Sequence, residues 1–203
     1  MTASNGSDGG VAASKPKVLI RQATADEKHI CHSIRQRAWE VAYGHIYPKE
    51  EIDEYFHGKS SERRTWSAIP CAFEESLVAE VLRQDVETKS YDSDDVSSKD
   101  NNICGFAKWG WTPGETIGEL HSLYVATPMW NSGTGSMLWD AIVRRCREEG
   151  VTGLDIWVLQ RARSSAFYVK RGCFKVGCGD YIVGNRKEIA ECYRWSSSHP
   201  LTL

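Results

Sequence analysis

The chain has 203 residues, of which 41% are hydrophobic and 26% are charged, and its formal net charge is −2 at pH 7. This length predicts a single domain with a sizeable core. The near-neutral charge gives no attraction to nucleic acid or to an anionic membrane. The apolar runs are far shorter than the roughly 20 residues that a membrane span needs. We therefore expect neither a nucleic acid nor a membrane as partner.

The N-terminal part of the chain predicts a strand followed by two helices. Residues 18–21 form a short, largely apolar strand. Thr24 and Glu27 have the spacing of a capping box, which begins a helix whose apolar stripe ends near Gly44. Pro48 suits the first turn of a second helix.

Three strands are predicted next, at 71–82, 103–111 and 117–125. Between the first two, residues 85–102 are polar, acidic and without periodicity, which predicts a long mobile hairpin loop. An acidic segment of this kind can recruit a basic partner, although a solvated loop is the ordinary interpretation. Pro128 follows the third strand and prevents its continuation, because proline cannot donate to a sheet ladder.

The C-terminal part begins with an amphipathic helix through Met137 and Cys146. The remaining predicted elements are a nearly all-apolar strand, a short helix and a terminal strand pair, at 153–159, 162–171, 173–183 and 187–195. Gly184-Asn185 provides the turn between the last two strands. The resulting order, β-α-α-β-β-β-α-β-α-β-β, predicts an α/β fold with a sheet of mixed direction.

Cysteine usage bears on cellular location and metal binding. Seven cysteines are scattered along the chain without a C-x-x-C pair, which argues against a zinc ribbon or a thioredoxin-type site. Their odd number favours reduced, mostly buried thiols and a cytoplasmic protein. His29, Cys31 and His32 lie close together in a predicted helix. No further ligand is near them, so we expect an exposed helix face and no metal.

A glycine-rich turn connects the strand at 117–125 to the amphipathic helix, with the sequence Trp130-Asn131-Ser132-Gly133-Thr134-Gly135-Ser136. Such a turn before a helix N-terminus leaves backbone N–H groups unpaired. Together with the helix dipole, these groups attract anions such as phosphate. A tight turn that needs glycine for steric reasons is the alternative.

Two common nucleotide-binding motifs are excluded at this turn. A Walker-type P-loop requires Lys-Ser/Thr after the last glycine, where this chain has Ser136-Met137. A Rossmann fingerprint requires glycine or alanine three residues further on, where this chain has Leu138. An anion site of another kind remains.

The segments 130–135 and 161–174 together resemble two motifs of the GNAT superfamily of acyl-CoA-dependent N-acyltransferases. The first segment is similar to Arg/Gln-x-x-Gly-x-Gly/Ala after a strand. The second is similar to Asn-x-x-Ala-x-x-x-Tyr-x-x-x-Gly-Phe, with one extra residue before the final phenylalanine. The predicted order of elements agrees with the family from residue 18 to residue 195.

The resemblance implies a GNAT-like α/β fold with a mixed, largely antiparallel central sheet and helices on both faces. It implies a single acetyltransferase domain at 18–198, which contains the acidic loop at 85–102. Residues 1–17 are small and polar, and together with residues 199–203 they are expected to be tails outside this domain.

Two residues depart from the family motifs. Trp130 stands where the family has Arg or Gln, which removes a side-chain contact to the pyrophosphate but leaves the backbone donors of 131–136. Arg161 replaces the usual Asn next to the pantetheine arm. An arginine at that position is able to pair with a phosphate instead.

By resemblance, the cosubstrate is acetyl-CoA and no metal is required. The backbone of Leu123 and Val125 is expected to pair with the pantetheine amides like an added strand. The acyl-CoA contacts implied in this way are Leu123, Tyr124, Val125, Trp130, Asn131, Ser132, Gly133, Thr134, Gly135, Ser136, Arg161, Ser164 and Tyr168.

Acyl transfer to an amine requires a deprotonated amine, a polarised carbonyl and a protonated leaving thiolate. Tyr168 matches the family's general acid near the CoA sulfur, with a core aromatic as its alternative role. Glu119 occupies the position of the general base in several family members. His121, two residues along on the same strand face, is the second candidate. An ordinary polar pair at the end of a strand is the alternative for both.

The acceptor site is expected at the end of the first helix, where relatives place it. The candidate acceptor contacts are Trp39, Tyr43, His45, Ile46 and Tyr47, with Trp109 and Trp111 as further walls. Each of these also fits core packing. Aromatic walls of this kind suit a small amine or a peptide end.

The sequence therefore predicts an N-acetyltransferase that transfers an acetyl group from acetyl-CoA to a primary amine of a small molecule or peptide, by direct attack in a ternary complex. A catalytically silent acyl-CoA-binding or sensory module is the alternative, motivated by the departures at Trp130 and Arg161. A third option is an interaction protein that uses the loop at 85–102. The acceptor, the acyl chain and the oligomeric state, including a homodimer, are left open by the sequence.

Overall fold

The computed structural model describes residues 16–58, 71–82, 102–183 and 186–198. Some predictions fall outside these ranges. They concern the N-terminal tail as far as residue 15, the acidic loop as far as residue 101, the turn at Gly184-Asn185 and the C-terminal tail at 199–203.

Within the described residues, the helices and strands follow the predicted order. The strands are β1 (Val18–Gln22), β2 (Phe73–Val81), β3 (Ile103–Trp111), β4 (Ile117–Val125), β5 (Gly153–Leu159), β6 (Phe174–Val183) and β7 (Arg186–Ser196). The helices are α1 (Lys28–Tyr43), α2 (Lys49–His57), α3 (Thr134–Glu148) and α4 (Ser165–Val169). None of these described helices combines the length and the apolar character that crossing a membrane requires.

The seven described strands form one sheet in the order β1-β2-β3-β4-β5-β7-β6. Every neighbouring pair is antiparallel except β4 and β5, which run parallel. The prediction of a mixed, largely antiparallel sheet is therefore confirmed. The parallel pairing is short, since it extends only from Ile117 opposite Gly153 to Leu120 opposite Ile156.

Helices cover both faces of the sheet, in agreement with the prediction. Val78 and Phe106 pack with buried residues of α1 in one apolar cluster. Ala79 and Ala107, one residue further along the same strands, belong to the larger cluster that contains the apolar side of α3. Because successive residues of a strand point to opposite faces, α1 and α3 lie on opposite sides of the sheet.

The chain enters α1 through the predicted capping arrangement. The backbone N–H of Thr24 donates to the Glu27 carboxylate at 2.7 Å. Arg21 of β1 pairs with the same carboxylate at 2.6 Å, and its hydrogen bond is the main cause that lowers the pKa of Glu27 to about 2. One carboxylate thus ties the start of the helix to the first strand.

Helix α4 is shorter than the segment predicted at 162–171. Its regular part covers Ser165–Val169. The N–H of Arg171 then donates to the Tyr168 carbonyl at 2.9 Å, a three-residue step that tightens and ends the last turn. The predicted helix at 162–171 is therefore too long at both ends.

None of the seven cysteines forms a disulfide. Cys104, Cys146, Cys173 and Cys192 are buried, whereas Cys178 is exposed. Burial raises the pKa of the Cys146, Cys173 and Cys192 thiols to about 12. These three thiols therefore stay protonated at neutral pH.

We expect iodoacetamide at pH 8 to alkylate Cys178 first in the folded protein. The three buried thiols with a raised pKa should react at least about 100-fold more slowly, because the thiolate is the nucleophile. Timed peptide mass spectrometry measures the rate at each position. A Cys178→Ser control should lose the fast reaction and keep the slow ones. Fast alkylation of Cys146, Cys173 or Cys192 in the folded chain would contradict their burial.

Candidate active site

The separation of β4 from β5 leaves a gap in the middle of the sheet. The ladder between the two strands ends at Leu120 and Ile156, while β5 continues to pair with β7 as far as Leu159 opposite Ala190. A cavity of about 920 Å³ occupies this gap. Its walls come from the end of α1, β4, β5, the glycine-rich turn, the start of α3 and the α4 segment.

The backbone of β4 faces this larger cavity. On the opposite edge of β4, which faces β3, the N–H of Ala126 donates to the Cys104 carbonyl at 2.8 Å, just beyond the β3–β4 ladder. Backbone groups of successive strand residues point to alternate edges, so those of Leu123 and Val125 point away from β3 and into the gap. An extended ligand can pair with hydrogen-bonding groups presented in this way.

The glycine-rich turn directs the first N–H groups of α3 into the larger cavity. Asn131 and Gly133 adopt left-handed backbone angles, with φ of 61° and 96°. A Cβ at Gly133 would meet no atom within 4 Å, so backbone conformation rather than crowding requires glycine there. Gly135 and Ser136 line the cavity in the first helical turn, where backbone N–H groups lack partners inside the helix. The start of α3 therefore suits an anion.

Ten of the predicted cosubstrate contacts line the larger cavity. They are Leu123, Tyr124, Val125, Trp130, Asn131, Gly133, Gly135, Ser136, Ser164 and Tyr168. Ser132 and Thr134 instead stabilise the turn itself, since their hydroxyl oxygens lie 2.7 Å apart and the Ser132 hydroxyl donates to the Met129 carbonyl at 2.6 Å. Neither of these two side chains lines the cavity.

Trp130, the residue that departs from the motif, joins the turn to the end of β4. Its indole N–H donates to the Val125 carbonyl at 2.7 Å. The side chain lines the larger cavity and remains 41% exposed. The tryptophan therefore holds the turn against the strand, a role that the motif alone did not indicate.

Two arginines that the sequence analysis missed line the larger cavity, namely Arg163 and Arg171. Arg171 donates to the Ser136 hydroxyl at 2.5 Å and to the Phe167 carbonyl at 2.8 Å. Its guanidinium also lies 3.5 Å from the centre of the Phe167 ring. Partial burial lowers the pKa of Arg171, but a guanidinium remains charged at neutral pH. A fixed positive charge therefore stands beside the first turn of α3.

Arg161, the predicted arginine, is placed elsewhere. Its guanidinium pairs with Glu188 of β7 at 3.6 Å, and it does not line the larger cavity. No pattern in the sequence distinguishes the three arginines, because the difference arises from contacts between distant segments.

A second cavity of about 340 Å³ adjoins the first. Six residues line both cavities and form a shared wall, namely Tyr43, Leu120, His121, Ser122, Tyr124 and Trp157. The smaller cavity continues between α1 and the strands β2, β3 and β6. The two cavities are therefore adjacent along these six residues.

A β-bulge places His121 in the shared wall. The β3–β4 register passes from Lys108 opposite Ser122 to Trp109 opposite Leu120, so His121 has no opposite residue in the ladder. A bulge of this kind bends the strand and changes the direction of a side chain. The sequence predicted that side chains from Glu119 onward alternate regularly between the two faces of the strand, and it did not predict this bulge.

The imidazole of His121 lies between two carboxylates. Its Nδ1 lies 3.4 Å from Oε1 of Glu119, which is completely buried and lines neither cavity. Its Nε2 lies 3.5 Å from Oε1 of Glu74 and has no hydrogen-bond partner among the described residues. Across the described segments, no group of three or more His, Cys, Asp or Glu side chains is arranged to hold a metal ion.

Two tyrosines line the larger cavity, namely Tyr168 of α4 and Tyr43 at the end of α1. Tyr168 is 7% exposed and lines the larger cavity, and burial raises its pKa. Tyr43 lines both cavities, and burial raises its pKa as well. Both phenols therefore keep their protons at neutral pH.

The predicted acceptor residues are divided between the cavities and the core. Trp39 and Tyr43 line the smaller cavity, and the Trp39 indole N–H donates to the Tyr124 hydroxyl at 2.9 Å. His45 lines the larger cavity, where its Nε2 is 3.1 Å from the Arg161 carbonyl. The candidates that line neither cavity are Ile46, Tyr47, Trp109 and Trp111.

Ile46 and Tyr47 are buried because the chain reverses direction after α1. Both backbone N–H groups donate to the Tyr43 carbonyl, at 2.7 and 2.9 Å. This tight turn folds the two side chains back into the core, where they are 5% and 1% exposed.

The comparisons with known proteins agree with this geometry. The model of the acetyltransferase (GNAT) family matches residues 31–173. A search of curated proteins found no match. Among solved structures, the chain is similar to the PaiA N-acetyltransferase from Thermoplasma acidophilum in complex with coenzyme A. Their identity is 17%, the TM-score is 0.56, and the match covers 86% of this chain and 98% of that chain.

Two further solved structures show the same fold. A GCN5-related N-acetyltransferase from Rhodopseudomonas palustris is 15% identical with a TM-score of 0.60, and the match covers 93% of this chain and 99% of that chain. The ribosomal-protein-alanine N-acetyltransferase from Brucella melitensis is 18% identical with a TM-score of 0.53, over 88% and 99% of the two chains. The predicted GNAT-like fold is confirmed.

We expect a side chain at Gly110 to disturb the shared wall. A Cβ there would lie 2.8 Å from both the His121 Nε2 and the Cys71 Cβ, so Gly110→Ala should displace one of them at a cost of about 1–3 kcal/mol. Thermal unfolding measures the loss, and NMR of the imidazole measures the displacement. The control is Gly177→Ala, because a Cβ there meets no atom within 4 Å. An equal effect of both substitutions would contradict this crowding.

Proposed function

Because the chain belongs to the acetyltransferase (GNAT) family, we propose that it transfers an acetyl group from acetyl-CoA to a primary amine of a small molecule or peptide, by direct attack in a ternary complex. The observation that carries this proposal is the pair of adjoining cavities with one shared wall. The larger has room for a long cosubstrate and the smaller has room for an acceptor. Two reactants that meet where the cavities adjoin can react directly, without a covalent enzyme intermediate.

The larger cavity supports binding of acyl-CoA at three places. The backbone N–H groups of Leu123 and Val125 suit the amides of an extended pantetheine arm. The N–H groups of Gly135 and Ser136 suit the pyrophosphate at the start of α3. Arg171, bonded to the Ser136 hydroxyl, supplies beside it the positive charge that the family motif carries at the position of Trp130.

We assign the general base to His121 and a positioning role to Glu119. The buried Glu119 carboxylate next to Nδ1 favours the tautomer with its proton on that nitrogen. Nε2 then keeps a lone pair, and this buried atom has no hydrogen-bond partner among the described residues. In this proposal it accepts the proton from the amine. Glu119 reaches neither cavity, which disfavours the direct base role considered for it.

We assign the general acid to Tyr168. The amine nitrogen bonds to the carbonyl carbon while the carbon–sulfur bond breaks, so one proton must leave the nitrogen and one must reach the sulfur. His121 takes the first proton and Tyr168 gives the second. The raised pKa of Tyr168 keeps the phenol protonated until the thiolate leaves.

Acetyl-CoA should raise the thermal midpoint of the wild-type chain, and a panel of primary amines should then release free CoA thiol. His121→Gln should keep the affinity for acetyl-CoA and lose about 10²–10⁴-fold in turnover, because glutamine cannot take the amine proton. Glu119→Gln should lose less, since it acts on the orientation of the imidazole. The thermal shift and the rate of thiol release are the measurements.

Cys178→Ser serves as a control, since Cys178 is exposed and lines neither cavity. Wild-type binding without thiol release would favour the catalytically silent acyl-CoA-binding module. Full activity of His121→Gln would remove the histidine from the base role.

Two arginine variants test the position of the phosphate site. Arg171→Met should weaken acetyl-CoA binding about tenfold, or by about 1.4 kcal/mol, and the difference should shrink as salt is added. Arg161→Met makes the same change of charge at a residue paired with Glu188 and should have little effect. Titration calorimetry measures both affinities. Equal losses for the two variants would contradict the assignment to Arg171.

A further inference from the structure

An arginine in the smaller cavity has no negatively charged partner. Arg35 of α1 donates from Nη2 to the Tyr55 hydroxyl at 2.9 Å. Its guanidinium lies 5.6–5.9 Å from the ring centres of Trp39, Tyr55 and Phe56. Its Nε is buried without a hydrogen-bond partner among the described residues. The charge is thus surrounded by aromatic rings and hydroxyl groups, and in the described segments no carboxylate lies within ion-pair distance.

This environment favours an anionic ligand. A charge removed from water is unfavourable unless it is paired, and contacts to aromatic faces return only about 0.5–2 kcal/mol. The planar guanidinium binds carboxylates with two parallel hydrogen bonds. Arg35 lines the smaller cavity, so a carboxylate bound there would meet a guanidinium that has no charged partner among the described residues.

The charged residues around the smaller cavity also favour an anionic ligand. Its charged lining residues are Arg35, Lys108 and Glu74, and Lys108 is already paired with Glu74 at 2.7 Å. With the histidine neutral, the lining keeps one net positive charge, which is that of Arg35. A polycationic acceptor would be repelled, whereas a molecule with one anionic group would neutralise the cavity.

Arg35 and His121 both line the smaller cavity, whose volume is about 340 Å³. A cavity of this size suits a molecule as small as an amino acid. One such molecule can therefore lie between the arginine and the histidine.

We propose that the acceptor is an amine that also carries a carboxylate, such as an amino acid, with the carboxylate bound by Arg35 and the amine at His121. This inference rests on the proposed acetyl transfer and specifies its acceptor. Arg35 is then a specificity-determining residue, and its contact decides which amines are acetylated.

The test compares matched pairs of amines with the full-length chain and acetyl-CoA. Each pair is an L-amino acid and its decarboxylated amine, for example phenylalanine and phenethylamine. The wild type should prefer the amino acid in kcat/KM by about tenfold or more for its best pair. Arg35→Met should abolish this preference by raising KM for the amino acid, with little change in kcat and in the rate for the decarboxylated amine.

Two further variants separate recognition from folding. Arg35→Lys keeps the charge and should keep part of the preference. Arg37→Met removes an exposed arginine from the same helix and should keep all of it. If Arg35→Met unfolds, the Arg35→Lys variant and the wild-type substrate ratios still decide the question.

Other outcomes overturn one proposal or the other. Equal rates for both members of every pair in the wild type, or a preference that survives Arg35→Met, would overturn the role of Arg35. If no amine is acetylated, the proposed function fails. The inference is then judged by titrating the same amino acids into protein saturated with CoA. In that case, an absence of binding, or equal binding by Arg35→Met, overturns it as well.

Discussion

The path of β5 is the constraint on which the site depends. The buried Asp155 of β5 accepts two hydrogen bonds from Arg194 of β7, at 2.6 and 2.7 Å, and the two residues lie opposite each other in the ladder. This two-pronged ionic contact holds β5 against β7, one residue before the ladder with β4 ends at Ile156. Because β5 stays paired with β7 beyond Ile156, the residues of β4 after Leu120 have no strand paired on that side. The cavity therefore results from strand pairing and not from a loop.

The two sides of β4 then acquire different chemistry from one strand. Its edge presents backbone groups to the larger cavity, while His121 at the bulge lines both cavities. The family motifs have Arg or Gln at position 130 and Asn at position 161, whereas this chain has Trp130 and Arg161. Trp130 holds the turn against β4, and Arg171 stands beside the first turn of α3. A positive charge is therefore present at the start of α3 although position 130 carries none.

Local sequence patterns were sufficient for much of the fold. The predicted bounds of β3, β4 and β5 agree with the structure. Apolar residues dominate β3 and β5, and Pro128 shortly after β4 prevents its continuation. The length of α4 was overestimated, since its last turn tightens through a contact that no periodicity reveals. The fold class followed from element order, which the short parallel pairing of β4 with β5 did not alter.

The candidate site was harder to predict from the sequence than the fold, for a physical reason. Glu119 was proposed from its position in the family and His121 from its place two residues along on the same strand face. The bulge at His121 depends on the register with β3. Arg171 meets Ser136 across 35 residues, and Arg35 meets Tyr55 across 20. Contacts of this kind exist only once distant segments are packed together, and a single sequence carries no local signal for them.

Binding of the cosubstrate along the free edge of β4, as proposed above, would also link the stability of the folded chain to that cosubstrate. A molecule that binds only the folded state raises the free energy of unfolding by about 2.7 kcal/mol at 100 times its dissociation constant. An extended cosubstrate in the gap would act as a missing strand and complete the sheet. The folded fraction, and with it the resistance to proteolysis, would then follow the supply of acetyl-CoA. The abundance of the protein would in this way respond to the metabolic state of the cell before any acceptor is bound.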